Sequence, residues 1–203
     1  MPPKFKYTKD EIIATGFRIV RRNGWSAFTA RSIADELGSS PRPIYSFFSS
    51  MEQLEKEIVK KAVSLLYDYM TRRRTGEPWI DHGIGYVMFA HEEKNLFKGM
   101  NDEKHIQYFK KYGDLIWNTL TSALADYAPF QGLSPQQIKQ IQVTRWLFAH
   151  GLAFQVSNPT LEVWNDAEVV EMMITGSNAI YDGLMKRFGS TIPEPVKSGG
   201  PNG

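Results

Sequence analysis

The chain has 203 residues, 24 Lys+Arg against 22 Asp+Glu, and 42% hydrophobic and 13% aromatic residues, the composition of a folded protein able to bury a core. It has no cysteine, which excludes a disulfide framework, cysteine-ligated metal sites and thiol catalysis and fits a reducing compartment. The net charge of +2 is uneven: residues 1–50 hold eight Lys/Arg and four Asp/Glu, while residues 51–203 hold sixteen and eighteen, so a polyanion is expected to meet one end only.

The first residues, MPPKFKYTKDE, contain no apolar core, and no apolar run approaches the ~18 residues that span a bilayer. Neither a signal peptide nor a membrane helix is expected, and the reading is a cytoplasmic protein. Thr8-Lys9-Asp10-Glu11 is a capping box, with Thr as N-cap and Glu at the third helical position. Behind it Ile13, Phe17 and Val20 share a face, and Asn23-Gly24 ends the helix. A second helix starts at Thr29, buries Ile33, Ala34 and Leu37, and halts at Gly38. Ser50-Met51-Glu52-Gln53 is another capping box, opening a long helix running to about Arg74, and Thr75-Gly76-Glu77-Pro78 breaks the chain. Further helices are expected at 79–92, 103–127, 135–157 and 166–188. Ser134-Pro135 with Gln137 starts the 135–157 helix, and Asn165 with Glu168 starts the last. Strand-type alternation is absent, so the fold class is all-α. From Thr191 the sequence TIPEPVKSGGPNG has little to bury and is expected to be a disordered tail.

Between the second helix and the long one lies SSPRPIYSFFSS, residues 39–50. Two short helices around Gly38-Ser39-Ser40 form a helix-turn-helix pattern. With Ser40 as N-cap, Pro41 and Pro43 occupy the first turn, where amides have no intrahelical partner and proline costs little. They stiffen a helix too short to persist alone. In a helix-turn-helix the second helix enters the major groove of double-stranded DNA with its leading residues at the base edges. Pro41, Arg42, Pro43, Tyr45 and Ser46 stand there, with Ser40 before them. Arg42 suits either a guanine edge or a phosphate; Tyr45, Ser46 and Thr29 suit phosphate oxygens, and Arg31 joins the DNA-facing set. Ile44 and Phe48, four apart, are expected to face inward with Ile33, Ala34 and Leu37.

These residues resemble the tetracycline-repressor (TetR) family of bacterial transcription regulators. The resemblance is carried by Thr29, Ile33-Ala34, Leu37-Gly38, Ser40, Ile44-Tyr45, Phe47-Phe48 and Glu52-Gln53-Leu54, after NGWSAFT, over about residues 8–60. PRPIYSFF is similar to a subset with proline before the Ile-Tyr pair. Two positions depart from the pattern: Arg42 stands where the family usually has Gly, and Met51 where it has a phosphate-contacting Lys, for which Lys56 is a possible substitute. The resemblance implies three helices with a helix-turn-helix over residues 1–50 and a larger helical effector-binding and dimerisation domain over 51–190. It also implies a homodimer on a palindromic operator, and a repressor released by a small-molecule ligand. A ligand among helices at about 79–160 would shift the long helix and so the spacing of the reading heads.

The two last long helices each carry a stripe that would suit a four-helix dimer interface: Ile138, Ile141, Arg145, Ala149, Leu152 and Val156, and Val169, Met172, Gly176, Ile180 and Gly183. Ala149, Ala153, Gly176 and Gly183 permit close approach of helices. Packing within one subunit is the alternative use of the same stripes. RWLFAHG, with Trp146 and His150-Gly151, is similar to the Trp-His-Gly type of C-terminal domain in this family. Trp79, Tyr86, Phe89, Phe109, Tyr112, Trp117 and Phe148 are the candidate lining of an apolar effector pocket.

No catalytic constellation emerges. His91-Glu92-Glu93 is similar to the start of HExxH, but Asn95 stands where the second histidine should be. His82, His105 and His150 read as structural, and no metal or other cofactor is expected. A constitutive or architectural DNA-binding protein without effector, or a helical enzyme, is the alternative.

Overall fold

A computed structural model describes residues 7–158 and 164–189, and the expected tail lies outside the described residues. Among the described residues the chain is all helical, without a strand: α1 (Lys9–Asn23), α2 (Ala30–Glu36), α3 (Arg42–Phe47), α4 (Met51–Thr71), α5 (Pro78–Glu92), α6 (Lys94–Met100), α7 (Ile106–Ser122), α8 (Pro135–Ser157) and α9 (Asp166–Arg187), with 3-10 turns at Trp25–Ala27 and Ala128–Phe130. No described helix is long and apolar enough to cross a membrane. Packing divides the chain into two units, Met1–Tyr67 with Glu92–Ile116, and Asp68–His91 with Trp117–Gly203.

In the N-terminal unit α1 begins with the Thr8–Glu11 capping box and buries Ile12, Phe17, Ile19 and Val20, while Ile13 is only half-buried. It packs against α2, α3 and α6. Two buried carboxylates tie later residues to these helices. Glu93 accepts both arms of the Arg21 guanidinium, and Asn95 Nδ2 donates to the carbonyls of Arg21 and Arg22 at 3.0 and 3.2 Å. Glu55 Oε1 is met by His105 Nε2 at 2.6 Å and Lys104 Nζ at 2.7 Å, and the His105 ring lies 4.2 Å from that of Trp25. A carboxylate inside a protein persists only when paired and hydrogen-bonded, which both of these are.

In the C-terminal unit α8 and α9 pack on each other, each opening with a capping box, Ser134 with Gln137 and Asn165 with Glu168. The loop before α5 is closed by Asp81, whose carboxylate accepts from Arg74 N, Thr75 N and the Thr75 hydroxyl at 3.0, 2.8 and 2.8 Å. The Tyr127 hydroxyl donates to Glu77 at 2.9 Å, and the Tyr181 hydroxyl to the Pro129 carbonyl at 2.6 Å.

Two expectations are corrected. The helix expected at 103–127 is α7 alone, ending at Ser122, and α6 precedes it unforeseen; turns at Asn101–Lys104 and Ala123–Asp126 separate them from their neighbours. Most of the α8 stripe that suits a dimer face is buried in the subunit: Ile141, Arg145, Ala149, Leu152 and Val156 all face inward. The apolar face that α8 leaves exposed is Val143, Trp146, Leu147 and Phe154, and Gly176 is occupied by the Phe148 ring of the same chain.

Because α3 has six residues, its stability comes from burial of Ile44 and Phe48, each 1% exposed. Ile44→Ala should lower unfolding stability by roughly 2–5 kcal/mol in urea denaturation, whereas Tyr45→Ala on the outer face should change it by less than about 0.5 kcal/mol.

Candidate nucleic-acid interface

Local chemistry sets up α2 and α3. The Thr29 hydroxyl accepts from Ser32 N at 3.0 Å and donates to Ser32 Oγ, a capping box that starts α2. At the other end Gly38 takes φ +62°, a left-handed backbone that favours glycine, and Ser39 N donates to the Ala34 carbonyl at 2.9 Å. The chain thereby turns directly into α3. The start of α3 differs from the expected one by a residue. Pro41, not Ser40, is the N-cap, with φ −66° and ψ −13°, and no side chain caps the helix. Proline fixed at that φ is already near the helical region, so Arg42 becomes the first helical residue and Pro43 the second.

The expected inner and outer faces are both present. Ile33, Ala34, Ile44 and Phe48 are buried, with Leu37 half-buried. Thr29, Arg31, Ser40, Pro41, Arg42, Tyr45 and Ser46 are exposed, and Pro43 is half-buried. Tyr45 is 54% exposed, a large aromatic ring turned outward from a helix whose other face is locked. Two hydroxyls expected to face phosphate are already engaged. Ser46 Oγ donates to the Arg42 carbonyl at 3.1 Å, and the Thr29 hydroxyl donates to Ser32 Oγ at 3.0 Å. Either would have to exchange that bond to donate to a phosphate oxygen.

Charge pairing separates the cations of this end. Arg18 and Arg22 share Glu36, at 3.2 and 3.0 Å, and Arg21 is committed to Glu93. Arg31 lies 3.9 Å from Asp35 with both side chains largely exposed, a pair worth little in water. No ion pair involves Arg42 among the described residues, so its guanidinium is available to an external anion. At the start of α4, Ser50 Oγ accepts from Gln53 N at 3.2 Å, while the Gln53 side chain turns to Ser49 rather than to Ser50 N. Met51 is the first residue of α4, and Lys56 is held by Glu52 at 2.8 Å and over the Tyr108 ring, so it is not a spare cation there.

The aromatics named for an effector pocket fall in both units. Phe109 and Tyr112 belong to the N-terminal one, and Trp79, Tyr86, Phe89, Trp117 and Phe148 to the C-terminal one. Trp79, Phe89 and Phe109 are buried and the others half-buried. Trp79 packs edge-on to Phe130, and Phe89 edge-on to Tyr69. Each histidine has a local environment: His105 on Glu55, His91 3.2 Å from Asp166, His150 Nδ1 2.9 Å from the Tyr86 hydroxyl, and His82 buried. No group of three or more His, Cys, Asp or Glu among the described residues could hold a metal ion. Sequence reading missed the buried guanidinium of Arg145, although a charged residue in an otherwise apolar stripe was the available signal.

Residues 12–58 match the family model described as "Bacterial regulatory proteins, tetR family". A curated relative, "Uncharacterized HTH-type transcriptional regulator YvaF" of Bacillus subtilis (strain 168), is 36% identical over 53 residues, which are 26% of this chain and 27% of the relative. The chain thus spans about a quarter of the length of the curated relative it matches. The matched residues run from the buried Ile12 of α1 through both helices of the helix-turn-helix to the buried Ile58 of α4. Over these residues the chain is similar to the tetR family of bacterial regulatory proteins.

Proposed function

We propose that this chain is a sequence-specific DNA-binding regulator of transcription. It works in the cytoplasm as a homodimeric repressor, and a small-molecule effector releases it from a palindromic operator. The observation that carries the reading is the outer face of α3, where Arg42, free of any ion pair among the described residues, stands beside the exposed Tyr45 on a helix pinned from behind. A guanidinium can donate two parallel hydrogen bonds to guanine O6 and N7, and a phenol can donate to a phosphate oxygen. Selection of bound sequences from a random DNA pool tests this directly. A palindrome with half-sites about 34 Å apart is expected, and a pool without enrichment would refute it.

A two-fold operator requires a two-fold protein. The support for one is the exposed α8 face, on which Leu147 and Phe154 are each 58% exposed beside Val143 and Trp146. A contiguous apolar face of this kind marks an association surface. Effector action needs differential affinity: moving the DNA-competent population from 99:1 to 1:99 takes about 5.5 kcal/mol.

Arg42→Ala should abolish discrimination between operator and random DNA while leaving weak, salt-sensitive binding in a mobility-shift titration. Met51→Lys should tighten binding to all sequences and steepen the log–log salt dependence by about one ion per added contact. Leu147→Glu combined with Phe154→Glu should convert the dimer to a monomer in sedimentation and weaken operator binding with it.

A further inference from the structure

The core of the C-terminal unit holds a charge that the DNA-reading function does not use. Arg145, in the middle of α8, is 7% exposed. Its Nη1 donates to the Trp79 carbonyl at 3.0 Å, and the guanidinium lies 5.0 Å from the Trp79 ring centroid. No carboxylate pairs with it among the described residues. The nearby acids are used elsewhere, Asp81 by the backbone and hydroxyl of the loop before α5, and Glu77 by Tyr127. Burial first, and then the Glu77 bond, push the Tyr127 phenol away from ionisation, so it supplies no anion. His82, next to Arg145 in the same core, is pushed down to about 4, chiefly by burial and then by the guanidinium's charge. It is neutral at physiological pH, and the guanidinium is left without an ion-pair partner among the described residues.

The hydrogen-bond inventory points the same way. Arg145 Nε, Trp79 Nε1, Gln142 Nε2 and Ser177 Oγ are buried without a partner. Gln142 lies one turn before Arg145 on α8, and its Oε1 already accepts from Thr121 at 3.2 Å, which leaves its amide as a donor. On α9, Ser177 lies between two residues that reach α5. Met173 reaches the Cα of Gly83, where a Cβ would come 2.6 Å from its methyl and 2.4 Å from Arg145 Nη1, and Tyr181 packs near the Trp79 ring. All four orphans can donate, and three can only donate. A desolvated cation against an aromatic face, in a core that also holds spare donors, is complementary to an anionic, acceptor-rich group on an apolar body.

We propose that Arg145 anchors the carboxylate of an organic acid bound among α5, α8 and α9, with Gln142, Trp79 and Ser177 as further donors. The proposal rests on reading the chain as a ligand-responsive regulator and names the chemical class of that ligand. A carboxylate satisfies two guanidinium donors at once, and its hydrocarbon part would lie against Trp79 and its ring neighbours.

The test uses the full chain without DNA. Benzoate, 1-naphthoate and decanoate are each compared with the corresponding primary amide by thermal shift and calorimetry. The acids should raise Tm and the amides should not. Arg145→Met should fold with equal or higher Tm, because an apolar residue of similar volume replaces an unpaired buried charge. It should bind the acids more weakly by roughly ten- to a hundredfold, the scale of one charge-assisted contact. Arg145→Lys should retain part of the affinity. If Arg145→Met does not fold, the acid–amide contrast on the wild-type chain decides alone. Acids and amides that act alike, or acids without effect on the wild-type chain, would overturn the proposal. A mobility-shift assay run in parallel separates the two readings: acid binding without DNA release would leave the anchor standing and remove the effector-release function.

Discussion

The N-terminal site depends on the burial of Ile44 and Phe48. A helix of six residues has too few internal hydrogen bonds to repay its own ordering, and two of its first residues are conditioned by proline. What holds it is the burial of its inner face, in a unit where α1 packs on both α2 and α3 and Ile12, Val20, Ile33 and Ala34 are buried as well. The prolines then narrow the backbone choices of the unfolded segment, so less entropy is lost when the helix docks. Arg42 and Tyr45 are presented outward as a by-product of that packing, at a fixed angle and without a supporting network of their own.

Electrostatics in the same unit sort the cations by function. Glu36 and Glu93 absorb Arg18, Arg21 and Arg22, all on α1, whose positive charge would otherwise spread over that helix. Among the described residues the arginines left loosely paired or unpaired, Arg31 and Arg42, are those on α2 and α3, while Lys9 of α1 lies over the Phe48 ring. A surplus of +4 in the first fifty residues is therefore less informative than its distribution, because the part that matters to a polyanion is what internal carboxylates leave over.

Much of this was legible in the sequence. Helix starts at Thr8, Thr29, Ser134 and Asn165 were readable because a side-chain oxygen three residues from a partner side chain is a local signal, and all four caps are present. The inward pair of α3 was readable from its i, i+4 spacing. Helix α6 was not, because its seven residues include Gly99 and too few turns to show a period, and Gly99 is instead shaped by the Trp25 ring against which it packs. The two faces of α8 were not separable either. Ile141, Ala149 and Leu152 on one side and Val143, Leu147 and Phe154 on the other are equally apolar, so periodicity alone does not reveal which face meets the same chain. The start of α3 shifted by one residue because Pro41 itself adopts helical torsion angles, a tertiary outcome that the cap rule does not anticipate.

The carboxylates of Glu55 and Glu93 bear on modularity. Each draws residues from beyond α4 into the packing unit of α1, α2 and α3, through His105 and Lys104 in one case and through Glu93 itself and Asn95 in the other. The helix-turn-helix unit is therefore assembled from two stretches of chain and cannot be grafted onto another protein by a single splice. A chimera cut after α4 would strand Glu55 without its imidazole and uncover one face of Trp25, so a hybrid of this chain must exchange both stretches or rebuild the seam between them.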